Sequence, residues 1–127
     1  MARYLIDTDV MIDVSRGNAA AANFVDSCDD VTISIISALE LIVGARNQRE
    51  ASGIDSLIKT YPVHGDLGVQ ITGLAYELLK RYAKSDGLRT FDALIAATAI
   101  EAGLTLVSRN RKHFQMIGGL NLDVPDY

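Results

Sequence analysis

The chain has 127 residues, 49% of them apolar and 22% charged, with a formal net charge of −4. This length suits one compact domain spanning 1–127, and the composition supplies a continuous core and excludes a disordered polymer. The acidic balance also excludes nucleic-acid binding by bulk charge, so any such contact has to run through a local basic rim or through metal ions at an acidic centre.

The predicted elements alternate between short β-like runs and longer helical ones. Arg3 to Ile6 reads as a first strand, followed by a helix from about Val10 to Ser15. Arg16-Gly17-Asn18 closes that helix, and Asn18 caps the alanine-rich helix that runs to about Cys28. Val31 to Ile35 is β-branched and predicts a second strand. Ser37 opens S-A-L-E, a capping-box pattern, so a helix is expected from there to about Gln48, with another over Ile54 to Lys59. Pro62 to His64 reads as a short third strand, and a long helix spans about Leu67 to Lys84 before Asp86-Gly87 breaks it. Thr90 is the expected N-cap of a helix to Ala102, where Gly103 supplies the stop. Leu104 to Val107 is a fourth strand, about Arg111 to Ile117 a short helix, and Leu122 to Val124 an edge strand.

Such alternation predicts an α/β fold, a mainly parallel sheet of four or five strands covered by helices on both faces. In sheets of that kind, sites lie at the carboxyl ends of the strands, near the switch in strand order. No apolar run reaches the roughly 18 residues of a membrane span. The most apolar stretch, Val31 to Ala45, is interrupted by Glu40 and several serines. Charges fall too early in MARYLIDTDV for a signal peptide. Cys28 is the single cysteine, so no intrachain disulfide can form and a reducing, cytoplasmic setting is expected.

Three carboxylates interrupt segments that otherwise favour burial. Asp7 follows Tyr4-Leu5-Ile6 at the carboxyl end of the first strand, where it also suits a cap for the next helix. Glu40 sits within I-I-S-A-L-E-L-I-V-G-A, bordered at helical spacing by Ile36, Val43 and Gly44; back-bonding in a capping box is its other role. Asp92 leads T-F-D-A-L-I-A-A-T-A-I and shares a face with Ile95, Ala96 and Ala99; in the first turn it also gains from the helix dipole. If the three converge, unit charges about 4 Å apart repel by about 4 kcal/mol at an effective dielectric near 20. A cation relieves that repulsion. Oxygen-only ligands, with no Cys–His spacing, select hard ions such as Mg²⁺ or Mn²⁺, and ions of that kind suit phosphodiester hydrolysis.

Four stretches, Y-L-I-D-T-D-V-M-I-D, S-I-I-S-A-L-E-L-I-V-G-A, R-T-F-D-A-L-I-A-A-T-A and L-V-S-R-N-R-K-H-F, resemble in their order the PIN-domain nucleases, in particular bacterial VapC-like toxins. The resemblance covers Arg3 to about Val124 and implies a PIN-like three-layer α/β/α sandwich. It implies a metal set of Asp7, Glu40 and Asp92, and an endoribonuclease that cleaves RNA through a metal-activated water. The family's fourth acidic position falls on Asn110, which brings an amide without negative charge and joins the catalytic candidates. Asp9 stands where many relatives have Asn and is a candidate to restore the missing charge, or else it faces its helix. Thr8, Ser37 and Ser108 match small hydroxylated positions that support the metal ligands. Arg109, Arg111 and Lys112 adjoin the site and suit RNA backbone, whereas Lys80, Arg81 and Lys84 on the long helix do so less directly. His113 is read as an ordinary surface or packing histidine, and His64 has no assigned role. A homodimer and a small antitoxin protein that blocks the site are also implied, with Leu41, Ile42 and Ile54 serving either that contact or the core.

Two other readings stay open. Y-L-I-D-T-D-V also resembles the nucleophile strand of haloacid-dehalogenase-like phosphatases, with Asp7 as nucleophile and Asp9 as acid/base. Met11, the short chain and the lack of a late acidic pair stand against it. The second is a PIN-like binding module that has lost catalysis, with Asn110 as its sign.

Overall fold

The computed structural model describes residues 3–127. Five strands, β1 (Tyr4–Ile6), β2 (Val31–Ser34), β3 (Val63–His64), β4 (Thr105–Val107) and β5 (Leu122–Asp123), form one sheet in the order β3-β2-β1-β4-β5. Every pairing in it is parallel. Seven helices among the described residues surround the sheet: α1 (Thr8–Ser15), α2 (Ala19–Ser27), α3 (Ile35–Val43), α4 (Gln48–Ile58), α5 (Gly68–Asp86), α6 (Thr90–Ala102) and α7 (Arg111–Phe114). The result is the α/β/α sandwich expected.

Strand alternation divides the core into two layers. Leu5 and Leu106 face a layer closed by Ile71, Ala75 and Leu78 of α5 and by Ile95, Ala96 and Ala99 of α6. Their neighbours Ile6, Ile33 and Val107 face the opposite layer, with Val10 and Met11 of α1, Val25 of α2 and Leu41 of α3. The alanines of α6 bring its backbone close to the sheet, and Gly103, at φ 68°, ends it in the left-handed conformation that glycine adopts without strain.

The middle of the chain departs from expectation. One helix was expected from Ser37 to Gln48 and a second from Ile54 to Lys59. Instead α3 begins at Ile35, with Ser34 as its N-cap accepting from Ile36 N–H at 3.0 Å. The S-A-L-E capping box does not form, because Ser37 and Glu40 both turn to Thr8. α3 stops at Val43, and the chain turns through Gly44 to Asn47, whose side chain accepts from Glu50 N–H at 2.9 Å and starts α4. Asn47 with Glu50 is thus the N-terminal signal, and Gly44 is a weak helix former that lets the chain break.

Other boundaries move slightly. α1 starts at Thr8 because Asp7 caps it, and α6 is capped at Arg89, so Thr90 is its first residue rather than its cap. α7 ends at Phe114, short of Ile117.

β1 connects toward β2 on one side and pairs with β4 on the other, so the strand order switches between β1 and β4. Asp7 and Ser108 are the residues that follow these two strands.

Candidate active site

Asp7 is held at three points. Its N–H donates to Val107 C=O at 2.8 Å, continuing the β1–β4 pairing by one residue. Oδ1 accepts from Thr8 N–H at 2.8 Å, and Oδ2 accepts from the Ser108 hydroxyl at 2.7 Å. The side chain is therefore oriented as well as buried, at 3% exposure. Burial, then the charges of Asp9 and, less, Asp92, raise its carboxyl from the usual 3.8 to about 7, against the bonds from Ser108 and Thr8, which lower it.

α3 brings Glu40 to the same rim. The Thr8 hydroxyl donates to Glu40 Oε1 at 2.7 Å and lies 3.0 Å from Ser37 Oγ. Asp92 arrives from the first turn of α6, with His113 Nδ1 3.3 Å from its Oδ2. Its carboxyl is also raised, by burial first and then by Glu40, with His113 and Arg89 opposing. Asp7, Thr8, Asp9, Glu40, Asp92 and Asn110 all line one cavity at the carboxyl edge of the sheet.

Asp9 is tied to the backbone. It accepts from Val10 N–H at 2.7 Å and from Arg109 N–H at 2.9 Å. Burial raises its carboxyl against these two bonds. Asn110 N–H donates to Ser108 Oγ at 3.0 Å, so the turn after β4 serves Asp7 and Asp9 together. A second layer of contacts steadies that turn. Arg109 Nη1 lies 3.3 Å from Asp13 Oδ2, its guanidinium sits 4.8 Å from the Tyr127 ring centre, and the Tyr127 hydroxyl donates to Asp13 at 2.8 Å.

The donor chemistry suits a hard divalent cation. Carboxylates from three separate elements face one cavity, and burial together with mutual repulsion raises two of the three, Asp7 and Asp92. No group of three His, Cys, Asp or Glu among the described residues is arranged to grasp an ion as it stands. Glu40 is turned to Thr8 and Asp92 to His113, so an incoming ion competes with those contacts.

Sequence reasoning passed over three residues. His113, read as a surface or packing residue, faces Asp92 across the cavity. Asp13 and Tyr127, not singled out, hold Arg109, whose guanidinium is engaged within the chain. No local pattern announces the hold on Arg109, since Asp13 lies 96 residues from Arg109 and 114 from Tyr127. Arg111 and Lys112 are exposed on α7, while Lys80 pairs with Glu77 and Arg81 lies beside the Tyr82 ring, away from the acidic cavity. Among the described residues no helix is long and apolar enough to cross a membrane.

Residues 4–119 match the sequence model of the PIN domain. The chain is 31% identical over 121 residues to "Ribonuclease VapC19" of Mycobacterium tuberculosis, a match covering 91% of this chain and 95% of that protein. Among solved structures it is similar to a toxin–antitoxin complex from Klebsiella pneumoniae, with 28% identity and a TM-score of 0.79, covering 92% of this chain and 94% of that one. It is also similar to VapBC2 from Rickettsia felis bound to a DNA fragment from their promoter, with a TM-score of 0.84 over 97% of this chain and 98% of that one. Identity there is 24%, so that likeness speaks for the fold alone.

Proposed function

The chain belongs to the PIN-domain family, and on that premise we propose that it is a metal-dependent endoribonuclease, the toxin of a toxin–antitoxin pair. Family membership removes the phosphatase alternative. One observation supports the site above all: Asp7 from the end of β1, Glu40 from α3 and Asp92 from α6 line a single cavity, with Asp7 raised to about 7.

In this reading Asp7, Asp92 and Glu40 hold the ion. A hard divalent ion such as Mg²⁺ or Mn²⁺ supplies positive charge for a scissile phosphate and makes water more acidic. The rest is work of the chain itself. Ser108 and Thr8 fix the directions of Asp7 and Glu40, and His113 does the same for Asp92. Asp9 holds the turn that carries Ser108, and the amide of Asn110, which lines the same cavity, is assigned to hydrogen-bond substrate. The exposed Arg111 and Lys112 offer positive charge to the RNA backbone beside the rim. No serine, cysteine or histidine nucleophile is required.

The antitoxin has a fitting seat nearby. A groove between α1, α3 and α4, lined by Ile12, Val14, Leu41, Ile54 and Leu57, shares Ile12 and Glu40 with the acidic cavity. A segment lying there reaches the edge of the site and obstructs RNA. The proposal includes a homodimer acting in the cytoplasm, where RNA is met.

Cleavage of RNA in Mg²⁺ or Mn²⁺, wild type beside Asp92→Asn, tests the assignment. A loss of about 100-fold or more is expected for the variant, and chelation should abolish wild-type activity. Equal rates would remove Asp92 from catalysis. Inactivity of the wild type across many RNAs would favour a binding module in which catalysis has been lost.

A further inference from the structure

The cavity at the carboxyl edge has two unlike halves. One is the acidic centre already described. The other is apolar, made by Leu79 and Ala83 of α5, Leu88 of the connection that follows and Phe91 of α6. Phe91 is 54% exposed, while Ala93, Ile95 and Ala96 of the same helix are buried in the core. More than half of Phe91 is therefore left out of the packing. None of the carboxylate contacts uses it. Arg89, exposed at the cap of α6, lines the same half, as does Thr90.

We propose that this apolar half is a nucleobase subsite, where an unpaired base of single-stranded RNA stacks on Phe91 while its phosphodiester lies toward the acidic centre. The inference rests on the ribonuclease reading and adds to it a point of contact for one base of the substrate. Three observations carry it. Phe91 lines the cavity and is more than half exposed, and base–aromatic stacking is strong and tolerant of sequence. Arg89 adds a cation at the rim, where a phosphate next to a stacked base would run. The cavity, about 640 Å³, falls in the size range of small-molecule sites and has room for a nucleotide. A duplex keeps its bases stacked on one another and cannot offer one to Phe91. An apolar peptide side chain would also cover the ring, but it offers the exposed Arg89 no anion.

The test reads binding apart from cleavage. Single-stranded RNA octamers carrying 2-aminopurine at successive positions are titrated in Ca²⁺ with wild type, Phe91→Ala, Phe91→Leu and Phe91→Trp, and cleavage is then followed in Mn²⁺. Melting curves establish that each variant is folded. Stacking predicts fluorescence quenching at one preferred position, a loss of affinity of about 10- to 100-fold in Phe91→Ala, little recovery in Phe91→Leu and retention in Phe91→Trp. Unchanged affinity in Phe91→Ala, or full recovery with leucine, overturns the subsite; the first result leaves the ring to another occupant, such as an apolar peptide. Cleavage that ignores Phe91 overturns the subsite and leaves the ribonuclease standing. Quenching that depends on the aromatic ring without any cleavage does the reverse. RNA that neither binds nor is cut overturns both.

Discussion

The Ser108 hydroxyl donates to Asp7 Oδ2 at 2.7 Å, joining two residues 101 positions apart. They meet because Ile6 and Val107 are register partners on adjacent parallel strands, so the residues that follow them emerge side by side. The bond favours the charged form of a carboxylate that burial drives toward the neutral one. It thereby sets how readily Asp7 can accept a cation.

Ser108→Ala should make this visible. Loss of a hydrogen bond to a charged group, worth about 1.5–3 kcal/mol, corresponds to a further rise of about one to two units in the Asp7 carboxyl. The acidic limb of the RNA-cleavage pH profile is expected to move to higher pH by about that amount, with weaker Mn²⁺ affinity at pH 7. An unmoved limb would mean that another group sets it.

Metal-free stability should fall as pH rises through the neutral range. An unfolded Asp loses its proton near 3.9, whereas folded Asp7 keeps it to about 7, so between these values the fold binds more protons. The stabilisation from Asp7 is complete below about pH 4 and lost as pH passes 7. Its full size is about 4 kcal/mol at most, from a shift of about three units. Urea unfolding in chelator at pH 5 and pH 7.5 should show the decline for wild type. Asp7→Asn should flatten it, leaving only the smaller slope from Asp9 and Asp92, which are raised in the same sense. A wild type equally stable at both values would contradict the burial argument.

Tyr127 should matter to turnover, although it stands outside the acidic cavity. Through Asp13 and Arg109 it braces the turn that carries Ser108 and Asn110. Tyr127→Phe keeps the ring beside Arg109 and removes one hydrogen bond, a cost of about 1 kcal/mol. Tyr127→Ala also removes the packing against Phe24 and Arg109 and should cost more, about 2 kcal/mol. Measured where both variants remain folded, kcat should fall about tenfold in Tyr127→Ala and KM should rise less, since a slack turn misplaces Asp7 together with the Asn110 amide. Wild-type kcat in Tyr127→Ala would show that the bond from Arg109 N–H to Asp9 suffices.

Much of the architecture was legible in the linear order of residues. The run Tyr4-Leu5-Ile6 ending in Asp7, and the alanines behind Asp92, carry short-range information: the first marks a strand end, the second a helix that packs tightly on a sheet. Alternation of such runs implied the parallel sheet and pointed to its carboxyl edge. The reading failed around Ser37 to Gln48, where one local signal competed with another. Ser37 with Glu40 and Asn47 with Glu50 both spell a capping box, and both hydroxyl and carboxylate of the first pair were claimed by Thr8, 29 and 32 residues away.

Residue order alone therefore determined most of the segments that become strands and helices, and which carboxylates sit at their ends. These follow from periodicity, capping and hydrophobic patterning, all acting within a few neighbouring residues. Tertiary structure alone decided what each carboxylate touches. Ser108 reaches Asp7, Arg109 is taken up by Asp13 and Tyr127, His113 faces Asp92, and Phe91 is left exposed beside the acidic centre. The physical reason is that burial, charge and hydrogen bonding at the site depend on distances set by strand register and helix packing, between residues too far apart in sequence for any local preference to couple them.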